Sequence, residues 1–131
     1  MGNERQLKRL LFVSIFLLIA VTASACGDSG ADPTGFEGGP GMLYFYSPDC
    51  PVCQGMKPII DRLEGQYGDE FKFVRVNVDT DRGKEQARAH GLIGQPAYLL
   101  FDASEQEVRR LMGANTRATL EEAILRAMGS E

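Results

Sequence analysis

The sequence predicts an α/β domain over residues 42–131, a mixed four-stranded sheet with helices on both faces in the order β-α-β-α-β-β-α. Three observations carry this expectation. A continuous apolar run at 42–47 is followed at once by apolar residues at helical spacing. A second strand pattern and a short polar helix come next, and strands joined through a helix run parallel. Then two β-rich runs, separated by three residues, precede a final amphipathic segment, and a short turn makes that pair antiparallel.

The elements follow in order. The run 42-MLYFYS-47 is apolar at successive positions and rich in strand-forming aromatics, as in a strand buried on both faces. Val52, Met56, Ile59, Ile60, Leu63 and Tyr67 recur at helical spacing, which places an amphipathic helix over 51–66. Pro58 lies inside it, but the pattern continues beyond, so the proline is expected to bend the helix rather than end it. Phe71, Phe73, Val76 and Val78 alternate, with one slip, along a strand over 71–79. Residues 82–90 read as a short polar helix. The runs 97–102 and 106–112 form a hairpin around 103-ASE-105. Residues 116–128 close the chain as a helix, capped by Asn115 or Thr116, with Leu120, Ile124 and Ala127 on its apolar face.

The chemistry centres on 46-YSPDCPVCQGMKP-58, where Cys50 and Cys53 stand at the junction of a strand and a helix. The first turn of a helix has unpaired N–H groups and the positive end of the dipole. A thiolate there is stabilised, so the Cys50 pKa is expected below that of a free thiol. Pro51 at the first helical position is preset for that geometry, and Val52 completes the turn. Helical spacing turns Cys53 inward and leaves Cys50 nearer solvent, close enough to join in a disulfide. A structural zinc site needs four ligands, and one cysteine pair, one histidine (His90) and a distant third cysteine do not supply them, so no metal is expected. Haem attachment requires a histidine directly after the pair, where Gln54 stands. A purely structural disulfide remains the alternative. His90 reads as a surface or loop residue, and Asp79, Asp81, Glu121 and Glu122 as solvated positions.

From Met42 to Met128 the chain resembles the thioredoxin superfamily. The segment 43-LYFYSPDCPVCQGMKP-58 is similar to its active-site strand and helix, including the proline eight residues after the first cysteine. The segment 90-HGLIGQPAYLLFD-102 resembles its second signature, with Pro96 at the place of the cis-proline opposite the pair, and 112-MGA-114 resembles the glycine region before the last helix. The resemblance implies a thioredoxin-like fold and thiol–disulfide exchange without a cofactor. Cys50 would attack, Cys53 would resolve, and the backbone of Gln95 beside Pro96 would pair with substrate. The chain departs from the family in four ways. The first strand and helix have no counterpart, Tyr44 stands where thioredoxins carry a buried aspartate, Asp49 replaces the usual tryptophan, and Arg75 stands near a familiar lysine. Asp49 beside Cys50 offsets part of the helix-dipole effect. This favours a reductant or general exchanger over a strong oxidant, which stabilises its reduced form. The competing reading is a binding module that keeps the fold and uses the pair as a structural disulfide.

The N-terminal segment bears on location. Arg5, Lys8 and Arg9 precede 16 uncharged residues, 10–25, which end in small side chains. That is the plan of a signal peptide, and the run is somewhat short for a bilayer-spanning helix. The sequence 23-ASAC-26 also resembles a bacterial lipobox, which would make Cys26 a lipidated N-terminus. Lipoprotein is the favoured reading; a signal anchor, or secretion after cleavage at Ala25, stays open. All three place residues 42–131 outside the cytoplasm, with 26–41, rich in Gly, Asp and Pro, as a flexible tether whose one large apolar residue, Phe36, is expected either to dock on the domain or to lie exposed. Removing residues 1–25 takes away three of 14 Lys+Arg and one of 18 Asp+Glu, leaving a net charge of −6. No basic patch supports nucleic-acid binding. The expected partners are extracytoplasmic protein dithiols or disulfides, a redox partner that reloads the pair, and a membrane reached through lipid or anchor.

Overall fold

The computed structural model describes residues 35, 36 and 38–130. The segment read as a signal peptide or anchor and Cys26 lie outside them. Among the described residues no helix is long and apolar enough to cross a membrane. The elements are β1 (Gly41–Tyr46), α1 (Pro51–Tyr67), β2 (Lys72–Asn77), α2 (Asp81–Ala89), β3 (Ala97–Phe101), β4 (Glu107–Met112) and α3 (Arg117–Ala127), in the order the sequence predicts. The sheet order is β2-β1-β3-β4; β1 pairs parallel with β2 and antiparallel with β3, and β3 pairs antiparallel with β4.

β1 therefore has a neighbour on each side and a layer on each face, which explains why it is apolar throughout. Successive side chains of a strand point to opposite faces. Met42 and Tyr44 join Met56, Ile60 and Leu63 of α1 and Leu120 and Ile124 of α3 in one core layer. Leu43 and Phe45 join Phe36, Val76, Leu99 and Phe101 in the other, against which Ala87 of α2 packs. β4 lies at the sheet edge and is largely exposed, as its charged sequence requires.

α1 runs unbroken through Pro58 to Tyr67. Its far end is tied to α3, with the Tyr67 hydroxyl donating to Glu121 Oε1 at 2.7 Å and Arg117 Nη2 donating to Gln66 Oε1 at 2.7 Å. Glu121 is thus a structural acceptor and not simply solvated. α2 is capped by Thr80, whose Oγ1 accepts from the Gly83 N–H at 3.0 Å. Gly83 packs so closely on the loop after β2 that a Cβ there would stand 1.8 Å from the Asn77 carbonyl oxygen.

The second face moves the boundary drawn at Met42 toward the N-terminus, because Gly41 opens β1 and Phe36 takes the docked of its two expected places, buried at 1% exposure. The Phe36 ring lies against Phe101, with centroids 5.5 Å apart, and fills the space over Gly41, where a Cβ would meet it at 2.5 Å. α2 buries only Gly83 fully, so an aromatic ring from the preceding segment completes that layer. His90, at the turn that ends α2, is half-buried: it sets its ring edge-on to Phe45 at 5.8 Å and to Phe101 at 6.2 Å, and burial lowers its pKa.

Phe36→Ala is expected to lower the unfolding free energy by about 3 kcal/mol or more, the usual cost of emptying a buried aromatic site. Gly41→Ala should destabilise through the same ring. Urea denaturation of both variants checks this, and an unchanged midpoint for Phe36→Ala would remove the ring from the core.

Candidate active site

β1 ends at Tyr46, and residues 47–50 turn the chain into α1. Cys50 is the N-cap of that helix, in an extended conformation, with Pro51 following at the first helical position. A capping side chain normally offers an oxygen to the free N–H groups. Here the acceptor is sulfur, and the Cys53 N–H donates to Cys50 Sγ at 3.2 Å. Cys50 is partly exposed and Cys53 is 3% exposed, and both are free thiols in this structure.

The same short helical turn separates the two acidities. The Cys50 pKa is lowered, first by a hydrogen bond from the Cys53 thiol, which outweighs the opposing effect of burial, and further by the backbone N–H groups of Cys53 and Val52. The Cys53 pKa is pushed up to about 11, mainly by burial and by its bond to Cys50, with the Ser47 N–H acting in the other direction. The pair thus holds one thiol that ionises readily beside one that keeps its proton.

Beneath the pair lies a row of phenols. Tyr44 stacks on Tyr98, its cross-strand partner, with centroids 5.2 Å apart and planes 6° apart; Tyr46 stacks on its other side at 5.5 Å. The Tyr44 hydroxyl donates to the Cys53 carbonyl at 3.3 Å, and burial raises the Tyr44 pKa to about 12. The Tyr98 hydroxyl is buried, its pKa is raised by burial, and it has no protein partner. A cavity of about 580 Å³ adjoins Cys53, lined also by Tyr44, Tyr46, Ser47, Gln54 and, toward its mouth, Lys57, Asp61 and Arg75. Arg75 bridges Asp61 at 2.8 Å and Glu64 at 2.6 Å, so the cation on β2 is held by carboxylates of α1.

The Gln95–Pro96 peptide bond is cis and directly precedes β3. Val52 at 45% exposure and Ile93, fully exposed, are the large apolar side chains presented by α1 and by the loop before Pro96. Among the described residues no group of His, Cys, Asp and Glu could hold a metal ion. Sequence reasoning did not single out Ser47, Asp61 or Tyr98. Ser47 and Asp61 carry no local signal, since a serine before Pro48 reads as a turn and an acid on a helix reads as surface. Asp79 is exposed, as expected, and in addition accepts from the Ser47 hydroxyl at 2.8 Å.

Alkylation by iodoacetamide, read by mass, checks the split. In a Cys26→Ser variant, at neutral pH and below the ordinary thiol pKa, a single adduct on Cys50 is expected, its rate rising with pH through a midpoint lower than that of free cysteine. Cys53 should remain unlabelled until the protein is unfolded or the pH approaches 11.

The thioredoxin family model matches residues 37–126. The chain is 32% identical over 87 residues to the chloroplastic Thioredoxin M4 of Arabidopsis thaliana, covering 66% of this chain and 44% of that protein, so it spans less than half the length of that relative. It is 32% identical over 81 residues to Thioredoxin 1 of Synechococcus elongatus, covering 62% of this chain and 73% of that one. Among solved structures, Fasciola hepatica thioredoxin superposes with a TM-score of 0.61 at 27% identity, covering 69% of this chain and 82% of that one. With four strands, three helices and a cysteine pair at the start of α1, the chain belongs to the thioredoxin family.

Proposed function

We propose that the protein is a thiol–disulfide oxidoreductase, held at a membrane and acting outside the cytoplasm. The observation that carries this is the split acidity of two thiols one helical turn apart, the outer one ionising easily and the inner one buried. Exchange requires a thiolate that can reach a partner and a second thiol that waits until the mixed disulfide has formed.

Cys50 attacks a disulfide in the partner, one partner sulfur is released as a thiol, and a Cys50–partner disulfide forms. Cys53 then attacks the Cys50 sulfur, which frees the second partner thiol and leaves Cys50–Cys53 oxidised. Run in reverse, the same parts oxidise a dithiol. The backbone at Gln95, before cis-Pro96, supplies the strand edge on which an extended substrate segment lies. A redox partner reloads the pair; one relative that matches over a part of its length is named NADPH-dependent thioredoxin reductase 3. Reduction or general exchange is the favoured direction. The Cys50 thiolate is held by the Cys53 thiol and two backbone amides, with no basic side chain contributing, which is milder than the stabilisation a strong oxidant needs. The membrane and extracytoplasmic parts rest on the N-terminal basic and apolar segment and on the sequence around Cys26.

The reduction potential, measured by redox-buffer titration and read by mass, tests this reading. A value roughly between −270 and −120 mV, the span of catalytic pairs, is expected, toward the low end for a reductant. A pair that stays oxidised below about −300 mV would mark a structural disulfide and a binding module. Cys53→Ala should trap the Cys50 mixed disulfide, and Cys50→Ala should abolish exchange.

A further inference from the structure

Resolution requires the Cys53 proton to leave, and most groups around Cys53 cannot take it. Cys50 is already joined to the partner at that stage. The Tyr44 and Tyr98 hydroxyls carry their own protons and hold them tightly. Asp61, the carboxylate at the cavity mouth, is engaged by Lys57 at 2.6 Å and Arg75 at 2.8 Å, which keep its carboxyl below the usual range. Lys57 and Arg75 are cations with no acceptor to offer.

Ser47 differs from all of these. It is 6% exposed and lines the same cavity as Cys53. Its hydroxyl donates to Asp79 Oδ2 at 2.8 Å, so the hydroxyl hydrogen is committed and the oxygen lone pairs are free to accept. Asp79 is exposed in the loop after β2, its N–H fixed by Asn77 Oδ1 at 2.9 Å, and its carboxylate can exchange a proton with bulk water. A buried hydroxyl bonded to a solvent-facing carboxylate connects the interior beside Cys53 to the surface.

We propose that Ser47 and Asp79 form the proton exit for Cys53 during resolution. The proton of the Cys53 S–H passes to a water in the cavity that Cys53 and Ser47 both line, that water gives a proton to Ser47 Oγ, and the Ser47 hydroxyl proton passes to Asp79 Oδ2. The Cys53 thiolate forms the Cys50–Cys53 bond, the Cys50–partner bond breaks with its electron pair going to the partner sulfur, and that thiolate takes a proton from water. Asp79 then returns its proton to solvent. This assignment rests on the oxidoreductase reading.

Reaction of the reduced full chain carrying Cys26→Ser with 5,5′-dithiobis(2-nitrobenzoate) separates the steps in one absorbance trace. The first thionitrobenzoate released reports attack by Cys50, and the second reports resolution by Cys53. Asp79→Asn keeps a hydrogen-bond acceptor for Ser47 but removes the base. It is expected to leave the first phase unchanged and to slow the second by about 10-fold or more at pH 7, at or below the usual contribution of a general base. The deficit should close as the pH rises toward 11, where hydroxide removes the proton. Ser47→Ala should act alike, and Asp79→Glu should recover most of the rate. A wild-type second phase in Asp79→Asn, a deficit equal at every pH, or a loss found in Asp61→Asn instead would overturn the assignment. A wild-type trace with no second phase would sink the oxidoreductase reading, and the proton exit with it.

Discussion

The central constraint is the position of β1. It is hydrogen-bonded on both edges and covered on both faces, so each of its side chains must fit one of two core layers. Such a strand has little freedom to slip, because a shift of one residue would exchange its two faces. The chain that leaves β1 therefore starts α1 at a fixed place, and Cys50 is delivered to the helix N-terminus by the packing of Met42, Leu43, Tyr44 and Phe45. The reactive sulfur sits at a surface position, but its location is set in the interior.

From that junction the acid–base asymmetry follows with few further parts. The first turn of α1 supplies N–H donors to Cys50 Sγ, while the same turn carries Cys53 inward over the tyrosine row. No charged group within the core is required. Aromatic rings fill the layer below the pair, and the polar atoms there, apart from the Tyr98 hydroxyl, find partners in backbone or in Asp79. Charge is kept to the cavity mouth, where Arg75, Asp61, Glu64 and Lys57 neutralise one another at the surface. An apolar floor and a charged rim together make the inner thiol weak without leaving a buried ion.

The fold was legible in the sequence wherever one residue type can satisfy only one environment. A run apolar at every position, as at 42–46, has to be a doubly covered strand, and the periodicity of Met56, Ile60 and Leu63 has to be one helix face. Cys50 and Cys53 were visible because two cysteines at that spacing behind a strand have few other uses. Phe36 was ambiguous because its neighbours, glycine and proline, indicate a tether; only the gap over Gly41, left where a larger side chain would have closed it, shows where the ring goes. The contacts of His90 and Asp79 were not legible for a related reason. Two of their partners, Phe45 for His90 and Ser47 for Asp79, are far away in sequence, and no local pattern marks a contact made across more than 30 residues. Ser47 itself reads as a turn residue until the cavity beside it is seen.

The buried ring of Phe36 also has a mechanical meaning. It lies five residues ahead of β1 and is packed in the layer that faces away from α1. A pull on the chain from its N-terminal side is met first by this ring, as a plug seated between Gly41 and Phe101, before any tension reaches the strand. If the plug yields, the load passes to β1, whose hydrogen bonds to β2 and β3 lie across the direction of pull and must shear together. The end of that strand carries the reactive thiol. Phe36 thus isolates the most sensitive point of the molecule from the segment through which force would enter.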